Sequence, residues 1–198
     1  MNRLSRDAAF RRAVGLVALL NLGYFGVEFA VASVIASVSL FADSIDFLED
    51  TSINFLIIIS LGWSPRWRAR VGMTLACVLL VPGLSALWMA WSKFAHPVPP
   101  PPLALSLTGV GALAVNLSCA FVLARYRHSA GSLSKAAWLS ARNDALGNVA
   151  IVGAGFLTAL TLSAWPDLVV GLGIAAMNAD AAREVWTAAS REHLRAEP

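Results

Sequence analysis

The chain has 198 residues, of which 58% are hydrophobic and 14% are charged, and this composition is typical of a membrane protein. It contains two cysteines, Cys77 and Cys119, and both lie inside apolar runs. This excludes a disulfide scaffold and a Cys-x-x-Cys metal motif. The formal net charge is +3, and its distribution along the chain carries more information than its size.

The apolar runs predict six membrane-spanning helices, because the first run divides at a turn near residues 36–39. Each helix is long enough to cross a hydrocarbon core about 30 Å thick. The predicted spans are 13–34, 38–61, 71–92, 103–124, 136–161 and 166–186. The predicted fold class is an all-α membrane protein, a six-transmembrane-helix bundle. We expect a basic N-terminus at residues 1–12, the six-helix domain at 13–186, and a short tail at 187–198 without a C-terminal metal-binding domain.

The basic residues predict the orientation of these spans, since loops rich in Lys and Arg stay in the cytoplasm. On one side of the predicted bilayer the loops contain only Lys93. The other side holds Arg3, Arg6, Arg11, Arg12, Arg66, Arg68, Arg70, Arg125, Arg127, Lys135, Arg183, Arg191 and Arg195. Both termini are therefore predicted to be cytoplasmic, and we expect the bilayer to be a bacterial inner (plasma) membrane. The positive charge then reflects contact with anionic lipid, so no nucleic-acid partner is expected.

The second predicted span contains four acidic residues, Asp43, Asp46, Glu49 and Asp50. On insertion scales, an Asp near the centre of a membrane helix costs roughly 2.5–3.5 kcal/mol, so the four acids cost on the order of 10 kcal/mol. The Val, Ile, Leu and Phe residues of the span offset only about 6 kcal/mol. Lipid alone would not hold this helix, so its acids should face a polar interior, a bound cation or protons.

A carboxylate on another helix is predicted to lie at a similar depth. At a rise of about 1.5 Å per residue, Asp50 of span 2 and Asp144 of span 5 both fall near the midplane. Asp46 and Asp50 share one helical face, because residues four apart are neighbours on a helix. We predict a divalent-cation site with Asp46, Asp50, Asp144 and Ser140 as ligands. The accessory candidates are Asp43, Asn143, Asn148, Asn54, Glu28 and Asn21.

Buried polar residues in membrane helices also have a purely structural explanation. Protonated acids can form hydrogen bonds between helices, and this alternative applies most directly to Asn21 and Glu28 of span 1. Asp43 can be read either as an acid at the mouth of a pathway or as a residue near a helix end.

The motifs of spans 1, 2 and 5 resemble those of the cation diffusion facilitator (cation efflux) family. The second helix of that family carries Ala-Asp-x-x-His/Asp-x-x-x-Asp, and Asp46 and Asp50 fall on its metal-binding pair. The family's fifth helix carries His/Asp-x-x-x-Asp-x-x-Gly, which Asp144 and Gly147 match. The resemblance covers the transmembrane domain only.

The resemblance implies a transporter and no enzyme. Family members export divalent metals from the cytoplasm by proton antiport, so it implies that divalent metal ions and protons are the partners. The metal (zinc, manganese, iron, cobalt or cadmium) is the substrate, no cofactor is expected, and a homodimer is implied. Ser140 replaces the usual His or Asp, and a site without imidazole should favour harder cations such as manganese.

Other functions remain open at the level of the sequence. A non-transporting membrane partner of a full-length carrier would also explain Ser140 and the expected lack of a cytoplasmic domain. An intramembrane aspartyl protease needs two Asp at one depth, but the Gly-x-Gly-Asp context of those enzymes is missing around Asp144. A channel is disfavoured, because a cage of acids binds ions tightly and passes them slowly.

Overall fold

The computed structural model describes residues 3–60, 87–125 and 132–177, together with the isolated positions 67, 84 and 183. For 3–7, 57, 59–60 and 132–140 it describes the backbone only. Within these ranges all regular structure is helical, which confirms the all-α prediction. Most of predicted span 3 and the C-terminal part of predicted span 6 lie outside the described residues.

Six helices follow one another along the chain. They are α1 (Arg3–Ile35), α2 (Val38–Ser60), α3 (residues 87–95), α4 (Pro102–Ala124), α5 (Ser132–Thr161) and α6 (Trp165–Met177). The bounds of α2 and α4 agree with the predicted spans to within one residue, and α5 begins four residues earlier than predicted. Pro102 opens α4, a position where the missing N–H of proline is harmless.

Three of the helices contain segments long and apolar enough to cross a membrane: Ala8–Ile35, Pro102–Ala124 and Ala141–Thr161. Helix α2 has 23 residues, which gives it a length of about 35 Å, but it carries four acids, more charge than any of these three segments has within its apolar stretch. Its acids therefore need neighbouring helices around them.

Four helices, α2 among them, pack in a closed ring. Helix α1 packs against α2, α2 against α5, α5 against α4, and α4 against α1. Apolar residues from several helices, among them Leu40, Leu105, Ile151 and Ile174, form a shared core. The interior of the ring is lined by side chains of α1, α2, α4 and α5, and the polar residues described below lie in it.

A two-residue turn connects α1 to α2. The Ser37 N–H donates to the Ala32 carbonyl over 3.0 Å, and Ala36 has φ of 50°. This is a Schellman ending, in which the residue after the helix adopts a left-handed conformation. Glycine is usual there, and an alanine at that position costs roughly 1 kcal/mol. We call this end of the bundle the turn end; it is the side predicted to face outwards.

A buried aspartate ties four helices together at the turn end. Both carboxylate oxygens of Asp167 on α6 accept hydrogen bonds from the start of α2: Val38 N–H at 3.0 Å, Ser39 N–H at 3.1 Å, and the hydroxyls of Ser37 and Ser39 at 2.6 Å each. Lys93 of α3 donates to Asp167 over 2.7 Å and to the Ala36 carbonyl at the end of α1 over 2.7 Å. We call this set of contacts the Asp167 clasp.

The Asp167 clasp combines an ion pair with a helix cap. The side chains of Lys93 and Asp167 are 5% and 0% exposed, so water does not screen their attraction. The carboxylate also lies at the N-terminus of α2, where the helix dipole favours negative charge. Gly171, one turn further along α6, allows the close approach, because a Cβ there would lie 2.7 Å from Val38 and from the Ser39 nitrogen.

We expect Asp167→Asn to destabilise the protein by about 3–5 kcal/mol, because it leaves the buried ammonium of Lys93 without its counter-charge. Thermal unfolding in lipid nanodiscs, followed by circular dichroism, measures this loss. Ser118→Ala serves as the control and should change stability by less than about 0.5 kcal/mol, because the exposed Ser118 hydroxyl bonds only to a carbonyl of its own helix, α4. Equal stability of the two variants would contradict a stabilising role for the clasp.

Candidate functional site

The antiparallel packing of α1 and α2 brings two polar residues of one helix against two acids of the other. Asn21 Nδ2 donates to Asp50 Oδ2 over 3.3 Å, and the carboxyl of Glu28 faces that of Asp43. Asn21 and Glu28 are seven residues, or about two turns, apart on α1. Asp43 and Asp50 are equally far apart on α2, so one register of the two helices satisfies both contacts. The structural alternative raised for Asn21 is therefore realised, since it makes a hydrogen bond between helices.

A chain of amides links α2 to α5 and α4. Asn148 of α5 donates through Nδ2 to Asp43 Oδ2 over 2.5 Å, and its Oδ1 accepts from Asn116 Nδ2 of α4 over 2.9 Å. Asn148 is fully buried, and Asn116 and Asp43 are nearly so. Each amide group can donate and accept at once, so this chain fixes the orientation of the Asp43 carboxylate.

The same register places Asp144 near Asp46. Asp144 lies one turn before Asn148 on α5, and Asp46 lies about one turn after Asp43 on α2. The Asp46 carboxylate accordingly experiences the negative charge of Asp144 more strongly than that of any other acid. Both residues are partly buried. Asp50 lies four residues, about one turn, beyond Asp46 on α2. Cys119 of α4 experiences the charges of both Asp50 and Asp144, so these two acids also lie in one region of the interior.

The predicted ligands lie on two adjacent helices without closing into one coordination shell. Among the described residues, no three His, Cys, Asp or Glu side chains are arranged to hold a metal ion together. The side chain of Ser140 lies outside the described residues, so its predicted contribution stays a prediction. Asp46, Asp50 and Asp144 are the acids that the fold brings to the same region of the interior.

The accessory candidates divide into interior and exposed residues. Asn54 is buried, and its Nδ2 donates to the Asp50 backbone carbonyl over 2.7 Å. The buried Oδ1 of Asn54 has no hydrogen-bond partner in the described part of the chain. Asn143 is exposed and accepts from Arg142 over 3.2 Å, so in this structure it does not face the interior acids.

Two features of the interior were not assigned from the sequence. Cys119 of α4 is fully buried, and its thiol donates to Asn21 Oδ1 over 3.5 Å, which extends the Asp50–Asn21 contact to a third helix. The Lys93–Asp167 ion pair was also missed. Its signal was present, because Lys93 is the one basic residue on its predicted side and Asp167 opens a span on that same side.

The interior is chemically suited to a hard or borderline cation. Its acids supply carboxylate oxygens, and amides from α1, α4 and α5 hold these acids in place. Oxygen ligands of this kind bind Mg²⁺, Mn²⁺ and Ca²⁺ well, and they also bind Zn²⁺ at shorter distances.

A comparison with known families agrees with this geometry. Residues 14–192 match the family described as the cation efflux transmembrane domain, and this match covers α1 from residue 14 onwards and the whole of α2 to α6. The chain therefore belongs to the cation efflux family, whose members are membrane transporters of metal cations and not enzymes. No individual curated protein matches the chain significantly.

We expect Asn148→Ala to destabilise the protein by about 1–3 kcal/mol, because it leaves the buried polar groups of Asn116 and Asp43 without a partner. Asn143→Ala is the matched control: the same substitution on the same helix, at an exposed position, should change stability by less than about 0.5 kcal/mol. Chemical unfolding in detergent micelles compares the two. Similar midpoints would mean that the amide chain contributes little.

Proposed function

We propose that this protein is a divalent metal cation transporter that exports the ion from the cytoplasm in exchange for protons. Asp46, Asp50 and Asp144 are proposed as the ligands of the transported ion, with Ser140 as a fourth ligand. Zinc, manganese, iron, cobalt and cadmium are the candidate substrates. The proposed setting is a bacterial inner membrane, with cytoplasmic termini and a homodimeric assembly.

The observation that carries this proposal is the juxtaposition of Asp46 and Asp144. These carboxylates come from helices almost a hundred residues apart in the chain, yet each lies within the electrostatic reach of the other. Asp46 also experiences the charges of Asp43, Glu49 and Asp50. So many negative charges in an interior of low polarity repel one another, and a bound divalent cation removes that repulsion.

Charge also explains the exchange with protons. Three ionised carboxylates around one divalent ion leave a net charge of −1, whereas the same site without the ion would hold −3. Protons bound to the acids reduce this charge, so metal and protons compete for the same oxygens. A site that must be deprotonated to bind metal is emptied by protonation from the outer side. The membership of the cation efflux family agrees with this exchange.

The first expected outcome concerns transport. In proteoliposomes with a pH-sensitive dye inside, the wild-type protein should move Mn²⁺ or Zn²⁺ with an opposing flow of protons. Asp50→Asn and Asp144→Asn should reduce metal flux by at least about tenfold, since each removes a charged ligand. Glu49→Gln removes a carboxylate of the same helix that is not a proposed ligand, and it should retain flux.

Three results would contradict this proposal. Unchanged flux in Asp50→Asn and Asp144→Asn would reject the assignment of the site. Metal flux without any proton movement would reject the antiport. An absence of flux for every candidate metal in the wild type would favour a non-transporting partner of another carrier.

The second expected outcome concerns the choice of metal. Ser140→His restores the imidazole that the family usually carries, and imidazole favours zinc over manganese. We expect the ratio of zinc to manganese flux to rise on the order of tenfold, which corresponds to about 1.4 kcal/mol. Ser140→Ala is the control, because it removes the hydroxyl without adding imidazole. An unchanged ratio in Ser140→His would show that residue 140 is not a ligand.

A further inference from the structure

We propose that Glu28 and Asp43 form a second binding position for a divalent cation, between the Asp46–Asp50–Asp144 site and the turn end. The position rests on the proposed function, because the transported ion would occupy it after leaving the first site. Asp43 lies three residues before Asp46 on α2, so the two positions are about 4.5 Å apart along the helix axis.

The evidence begins with the carboxyl group of Glu28. The residue is 0% exposed, and apart from the carboxyl of Asp43 no group in the described part of the chain hydrogen-bonds to its side-chain oxygens. A buried carboxyl whose partner is a second buried carboxyl is costly, because the two groups repel each other when both are ionised. Asp43 is itself buried, so a proton or a cation is needed to hold the two acids together.

The polar groups nearby are already engaged elsewhere. The hydroxyl of Tyr24, which lies close to both acids, donates its proton to the Thr108 carbonyl over 2.6 Å. Lys93 donates to Asp167 and to the Ala36 carbonyl at the turn end. No basic side chain in the described ranges forms an ion pair with Glu28 or Asp43.

Asn148 supplies one hydrogen bond to Asp43 and thereby orients the pair. It donates to Oδ2 of Asp43, and the Asp43 carboxyl also hydrogen-bonds to the Glu28 carboxyl. Asn116 holds the Asn148 amide in this orientation by donating to its Oδ1. Two carboxylates presented in this way match the usual protein contribution to Mg²⁺ or Mn²⁺ binding, where water completes the shell.

The location of the pair gives it a role in the pathway. It lies on the turn-end side of Asp46, and the Asp167 clasp closes the bundle beyond it. An ion moving from the first site towards the turn end meets the Glu28–Asp43 pair next. When an ion passes between adjacent binding positions, each position can bind it tightly and the protein can still release it quickly.

Equilibrium dialysis of the full chain in lipid nanodiscs tests this inference, with Mn²⁺ as the probe and metal analysis as the readout. We expect the wild type to bind one Mn²⁺ at each position, with different affinities. Glu28→Gln should lose the ion of the second position and keep the other. Asp50→Asn should lose the ion of the first site and keep that of the second position. Glu49→Gln is the matched control, because it makes the same chemical change at another intramembrane acid. It should keep both ions.

The outcomes separate the two proposals. A wild type that saturates with a single Mn²⁺, lost in Asp50→Asn and kept in Glu28→Gln, overturns the second position and leaves the proposed function standing. Retention of both ions by Glu28→Gln, with fewer protons released on binding, assigns the pair a shared proton and also overturns it. A wild type that binds neither Mn²⁺ nor Zn²⁺ contradicts the proposed function itself. The wild-type count decides the matter even if a variant fails to fold.

Discussion

The architecture of this protein depends on how carboxylates are accommodated away from water. Each buried acid needs compensation, and the described acids obtain it in different ways. Asp167 has a lysine, two serine hydroxyls and the N-terminus of a helix, a complete set of partners. Asp43 accepts from the Asn148 amide and Asp50 from the Asn21 amide, whereas Glu28 has another acid, Asp43, as its hydrogen-bond partner. This difference separates an acid that stabilises the fold from the acids that we propose a transported cation compensates.

The turn between α1 and α2 sets this arrangement in place. Only two residues separate the helices, so the antiparallel register is fixed, and with it the contacts of Asn21 with Asp50 and of Glu28 with Asp43. The Asp167 clasp binds the same turn and the start of α2 from the side of α3 and α6. A structural contact at one end of the bundle thus determines which polar groups meet in its interior, and the depth at which they meet.

The sequence predicted the helices better than the relations between them. Apolar runs and the Ala36 turn defined the bounds of α2 and α4, because hydrophobicity and length are local properties. The grouping of acids on α2 with Asp144 was also foreseeable from spacing and rise. The equal depth of Asp50 and Asp144, judged from the predicted span ends, stays a prediction. The partners of Asn148 and Lys93 depend on contacts between distant helices, which a single sequence does not reveal.

The short α1–α2 turn also has a consequence for biogenesis. A helix with four acids does not partition into lipid by itself, whereas α1 is among the most apolar segments of the chain. The connection of two residues is too short for α2 to remain at the membrane surface after α1 has crossed. The two helices must therefore enter the bilayer as one hairpin, with Asn21 and Glu28 already shielding the acids of α2 from the lipid. The polar face of α2 that we propose binds an ion also makes the insertion of this helix depend on its neighbour during synthesis.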